Sequence, residues 1–226
     1  MSPLERTMSS RLPLLVTLVL VSLVPRPVRP ATEPDWSYSD QAGWSALAAA
    51  CGGSRQSPVD LIVSEQRYWQ DGGMPRLEFA KGLKAGQITA KNDGRTPKVT
   101  LRPDSDEPAV RLKGTSPGPL SGTYALDNLH LHWNTEADGR GSEHKMNGMF
   151  EAAEAHFVFY NEQYGSVSAA LEEADGLAVV GLLLRPEPPA SPRPGLALPT
   201  FGLEDDLASL AALGSSVTRQ QDLRQL

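Results

Sequence analysis

The sequence predicts a mainly β protein, a single domain with short helices at its periphery. Two observations carry that expectation. Short apolar runs alternate in period two between turn residues, as half-buried strands do. Glycine and proline are plentiful, 20 and 19 in 226 residues, which fits a loop-rich β fold rather than a helical bundle. No internal repeat is evident, and the length suits a substantial hydrophobic core. With 27 acidic against 21 basic residues, the net charge is −6, which argues against nucleic acid or an anionic membrane as partner.

The elements follow in chain order. Arg6 and Arg11 precede an apolar run from Leu12 to Val24 of the length of a signal h-region. Residues 1–30 therefore read as a signal peptide and leader, residues 31–226 as the domain, and the protein as secreted. Pro25 to Pro30 contains no clean Ala-x-Ala site, and an uncleaved anchor is the alternative. No later segment has the length and apolarity of a membrane span. The alanine-rich stretch Gly43 to Cys51 predicts a short helix stopped by Gly52 and Gly53.

Strands are expected at Leu77–Phe79, Gln87–Ala90, Lys98–Leu101 and Ala109–Leu112, with a hairpin turn at Asn92-Asp93-Gly94. Gly114 to Gly122 reads as a loop, Val167 to Glu173 as a short helix, and Leu177 to Leu184 as a strand buried on both faces. Pro186 to Pro199 is a proline-rich loop. Leu203 to Leu213 has helical leucine spacing, with Glu204, Asp205 and Asp206 in its first turn, and the tail from Gly214 is polar. Cys51 is the only cysteine. It is either a buried free thiol or one whose partner is not in this chain.

All four histidines fall between Leu126 and Tyr160. Residues two apart on a strand point to the same face, so Asn128, His130 and His132 share one side, with Leu129, Leu131 and Trp133 on the other. In the second run Glu154, His156 and Val158 share a face. If the two strands pair, three imidazoles meet beside a carboxylate and an amide, a constellation suited to catalytic zinc. A single histidine on a strand is more often an ordinary hydrogen-bonded residue, and a lone His-x-His pair is weak evidence.

The surrounding blocks make the pattern specific. Asn128-Leu129-His130-Leu131-His132-Trp133, Gly141-Ser142-Glu143-His144 and Glu154-Ala155-His156-Phe157-Val158 resemble the alpha-class carbonic anhydrase signature. Trp36-Ser37-Tyr38, Arg55 to Asp60, Asn92 to Gly94, Gly122-Thr123-Tyr124 and Gly176 to Gly181 fall in that family's order and spacing, so the resemblance spans about residues 35 to 185. It implies a large central twisted, mostly antiparallel sheet (α+β, mainly β) and the zinc-dependent reversible hydration of carbon dioxide to bicarbonate and a proton.

Residue by residue, the resemblance implies zinc on His130, His132 and His156, with Asn128 and Glu154 as acceptors behind His130 and His156. Glutamine is more usual in the family where Asn128 stands. Val158 and Val179 line the carbon dioxide pocket, Glu143 and Tyr38 have catalytic roles, Tyr38 in the water network, and His144 is structural. Arg95 stands where fast members carry a proton-shuttling histidine, so no side-chain shuttle is expected. In the family, Glu143 works through a threonine in a Ser-Leu-Thr-Thr-Pro-Pro block, and a second cysteine follows that block. Neither is found in this sequence.

The expectation is therefore of a C-terminally incomplete domain with exposed sheet edges, prone to poor folding or aggregation. The competing reading from another class is a catalytically impaired, zinc-binding or interaction module. A cupin reading of His130, His132 and Glu136 fails because Tyr124 and Glu143 stand where cupins need glycine.

Overall fold

Period-two alternation becomes sheet structure along most of the chain. The computed structural model describes residues 38–65, 73–81, 85–92, 96–116, 118–134, 140–185 and 214–221. The proposed signal (1–30), Arg95, Glu136, the proline-rich loop and the helix expected at Leu203 to Leu213 lie outside the described residues. So does the side chain of Tyr38.

The strands are β1 (Asp60–Leu61), β2 (Arg76–Phe79), β3 (Gly86–Asn92), β4 (Pro97–Pro103), β5 (Val110–Lys113) and β6 (Thr123–Trp133). They continue with β7 (Lys145–Met146), β8 (Met149–Phe150), β9 (Ala153–Asn161), β10 (Leu177–Leu184) and β11 (Ser216–Gln221). The main sheet runs β10-β9-β6-β4-β3-β11, with every neighbour antiparallel. β5 pairs with the first half of β6 and carries β2 on its other side. A small second sheet joins β1 parallel to β7 and β7 antiparallel to β8. Among the described residues the α-helices are short, Trp44–Leu47 and Val167–Ala170, four residues each. The expected class, mainly β with a large antiparallel sheet and short peripheral helices, is what forms.

A bulge sets the two faces of β6. Leu126 pairs with Phe159, but the next partners are Asn128 and Val158, so Asp127 is the extra residue. Leu126 and Leu129 consequently lie on the same side, facing Phe159 and Phe157. That side is the core, where Leu112, Tyr124 and Phe159 are buried among Val110, Leu120, Leu126, Phe157, Ala178 and Val180. Burying a side chain of Phe159's kind contributes roughly 1.5–3 kcal/mol. The opposite side carries Asn128, His130 and His132.

Two expectations change. β10 is buried on one face, not both: Ala178 and Val180 pack on the core, while Leu177 and Val179 are 37% and 53% exposed. The reason is position. β10 closes one end of the sheet, and its outward residues lie on the histidine side, which opens to solvent. An almost purely apolar run therefore did not signal two covered faces.

The polar tail after Gly214, read as tail, is instead strand β11 along β3. Its pairing rests on backbone hydrogen bonds, entered through Gly214 N–H to Asn92 O (2.8 Å) and Asn92 N–H to Ser215 O (3.0 Å). Thr89 and Thr218 hydroxyls add a cross-strand contact of 2.9 Å. Cys51 is a free and exposed thiol, so the buried alternative does not hold. Among the described residues, no helix is long and apolar enough to cross a membrane.

Candidate metal centre

Strand register builds the site. His130 lies directly opposite His156, and His132 directly opposite Glu154. The expected pairing of the two histidine strands therefore occurs, with all these side chains on the non-core face. Ring centroids are 5.0 Å apart for His130 and His132, 5.3 Å for His130 and His156, and 4.6 Å for His132 and His156. One nitrogen from each ring comes within 4.8 Å of the others, a spacing that can hold a metal ion.

The second atoms of the rings are largely accounted for. His130 Nδ1 lies 2.9 Å from Asn128 Oδ1, and Asn128 in turn donates to Asp127 Oδ2 at 2.8 Å. His156 Nε2 lies 2.8 Å from Glu154 Oε1. The shorter asparagine therefore still reaches its ring. His132 Nδ1 stands 3.2 Å from Glu143 Oε1.

His132 Nε2 is buried and has no hydrogen-bond partner among the described residues. An orphaned buried polar atom costs about 1–3 kcal/mol, and a metal ion is one group that would satisfy it. Together with three converging neutral-capable imidazoles, the donor set fits a divalent ion such as zinc.

Glu154 is the anchor of the centre. It is 1% exposed, and its Oε2 accepts the backbone N–H groups of Glu143 (2.9 Å) and His144 (2.8 Å). Oε1 meets His144 Nδ1 at 2.7 Å as well as His156 Nε2. Burial opposes its charge, yet the His144 N–H and the His156 and His144 rings outweigh burial and hold its pKa below the usual carboxylate value.

His144, read from the sequence as structural, is held between Glu154 and Ser57, whose Oγ lies 3.1 Å from its Nε2. The ligand atoms of His144, Glu154 and His156 also cluster within 4.8 Å, but the hydrogen bonds just described already join them. Burial lowers the pKa of His132, and the neighbouring His156 and His144 lower it further against Glu154, which favours the neutral ring a metal needs. Burial raises Glu143, with His156 pulling back and Glu154 adding to the rise.

Around this centre lie residues with no side-chain signal in the sequence. Gly181 pairs with His156, and a Cβ there would come within 3.0 Å of Glu154 Oε1. Gly141 packs so tightly on the Ala152 carbonyl that a Cβ would sit 1.7 Å from the oxygen. Val158 and Val179 are cross-strand partners on the histidine side, so the two expected pocket residues do stand together.

Comparison with known proteins agrees with this geometry. Residues 39–196 match the model of the eukaryotic-type carbonic anhydrase family, more than half of the chain. The chain belongs to the eukaryotic-type carbonic anhydrase family. Among relatives, it is 36% identical over 156 residues to carbonic anhydrase 3 of Bos taurus, covering 67% of this chain and 56% of that protein. It is 35% identical over 156 residues to carbonic anhydrase 3 of Rattus norvegicus and of Homo sapiens, with the same coverage. This carbonic anhydrase chain thus spans about half the length of the curated relatives it matches. Its β11 lies outside the matched stretch, whereas every residue of the histidine cluster lies inside it.

Proposed function

We propose that this chain is a zinc-dependent carbonate dehydratase, hydrating carbon dioxide reversibly to bicarbonate and a proton. The observation that carries the reading is the convergence of three imidazole nitrogens on one point, one of them buried and orphaned. His130 and His132 would hold zinc through Nε2 and His156 through Nδ1, since His130 Nδ1 and His156 Nε2 are engaged with Asn128 and Glu154. When bound, zinc supplies a Lewis acid that lowers the pKa of a coordinated water to about 7, a value established for carbonic anhydrase itself rather than derived from this structure.

The chain's own groups do the rest. Asn128 and Glu154 hold two rings in the tautomer that presents a lone pair to the ion. Val158 and Val179 offer an apolar surface beside the site, suited to a small nonpolar gas. Secretion through the Leu12 to Val24 run belongs to the same reading and is supported by sequence alone.

The test is zinc content plus inhibitor-sensitive carbon dioxide hydration by the purified full chain. One equivalent of zinc with measurable hydration is expected, both lost in His132→Ala. Stoichiometric zinc without hydration would defeat the enzyme reading and leave a zinc-binding module.

A further inference from the structure

We propose that Glu143 is a positioning residue of the metal centre: its carboxylate accepts the Nδ1 proton of His132 and turns Nε2 of that ring toward the ion. The inference rests on the metal reading above. Two of the three rings have an oxygen that fixes them, Asn128 Oδ1 at 2.9 Å from His130 and Glu154 Oε1 at 2.8 Å from His156. His132 needs an equivalent. Its Nε2 is the buried nitrogen without a partner among the described residues, so Nε2 is the atom left for a metal. A neutral imidazole bound through Nε2 carries its proton on Nδ1, and that proton needs an acceptor. Glu143 Oε1 stands 3.2 Å from that nitrogen, an ion-pair contact that is not aligned as a hydrogen bond in the structure. On this proposal it becomes one when the ring takes up the ion. The other oxygen of the same carboxylate lies 4.0 Å from His156 Nδ1, so Glu143 sits against two rings at once.

The backbone places this carboxylate independently of any metal. The N–H of Glu143 donates to Glu154 Oε2 at 2.9 Å, and the N–H groups of Gly141 and Ser142 both donate to Glu151 O at 2.9 Å. The close approach at Gly141 to Ala152 leaves the segment no room to shift toward β9. Residues 141–144 thus lock onto the carboxylate that orients His156 and deliver a second one to His132. The resemblance gives Glu143 a threonine hydroxyl as partner. Orienting a ring is a different task, read in metal affinity rather than in turnover.

The experiment compares the full-length wild type with Glu143→Ala and Glu143→Gln in a zinc competition assay against a chromophoric chelator. The cobalt-substituted absorption spectra are recorded alongside. Glutamine keeps a carbonyl oxygen that can accept the Nδ1 proton; alanine does not. The alanine variant is expected to lose about 10–100-fold in zinc affinity and to shift the cobalt bands, with glutamine restoring most of both. Metal-free melting curves verify that each variant folds. If Glu143→Ala does not fold, Glu143→Asp, which keeps the charge and shortens the reach, takes its place with a smaller loss expected. Wild-type affinity in the folded alanine or aspartate variant overturns the proposal. Failure of the wild type to bind zinc overturns the metal reading and this inference with it, and shows before any substitution is made.

Discussion

At the scale of single residues, the centre depends on side chains whose far ends cannot yield. Glu154 is the clearest case, because four donors converge on its two oxygens. Gly181 lies against that carboxylate, and the 3.0 Å left for a Cβ is tighter than ordinary van der Waals contact. A flexible glutamate would step aside; this one has no free direction. Gly181→Ala is therefore expected to displace the Glu154–His156 contact, lower zinc affinity by about 10-fold and lower the melting temperature of the metal-free protein. Isothermal competition for zinc, paired with apo-protein melting, measures both quantities. Unchanged affinity would show that the carboxylate has slack after all. That Asn128, His130 and His132 share one strand face, and Glu154 and His156 another, was legible in the sequence because strand parity is a local rule. The role of Gly181 was not, since it depends on which strand lies beside β9.

At the scale of elements, β10 is tied down at its end by a charge pair. Arg185 Nε donates to Glu151 Oε2 at 2.6 Å, and its Nη2 pairs with Glu151 Oε1. The link joins the end of β10 to Glu151, whose backbone carbonyl accepts the N–H groups of Gly141 and Ser142 beside Glu143. The hydrogen bond from Arg185 outweighs burial and holds the Glu151 carboxyl below its ordinary pKa. A carboxylate with a depressed folded pKa stabilises the fold above its unfolded pKa, near 4.5, and that stabilisation is lost as pH falls through the folded value. Arg185→Met should therefore melt below wild type at pH 7, with the gap closing as the buffer is taken down through the carboxylate range. Thermal melts of both proteins across that range decide it. A gap that stays constant with pH would mean that the arginine acts through packing. Arg185 is mostly exposed, so the effect is expected to be modest.

At the scale of the whole molecule, the main sheet has β10 at one end and β11 at the other among the described residues. The two ends differ in chemistry. β11 carries Arg219 and polar neighbours, which discourage strand addition, whereas β10 has no charge between Leu177 and Leu184 and exposes Leu177 and Val179. An uncharged apolar end strand is a template for pairing with another chain. The purified protein is expected to self-associate as concentration rises, and Val179→Lys should reduce this. Light scattering over a concentration series is the measurement. A monodisperse monomer with one cooperative melting transition would contradict it.

The sequence by itself determined the mainly β class, most strand positions and the histidine cluster, because period-two alternation and turn residues act within a few positions of each other. It also carried enough of the family's blocks, in order, to name the reaction to test. Tertiary structure decided what depends on non-local neighbours. It made β10 an end strand with one open face, turned a polar tail into β11, put Glu143 beside His132 and brought Gly181 against Glu154. In each case the deciding quantity is the distance between residues far apart in the chain. No local pattern encodes that distance.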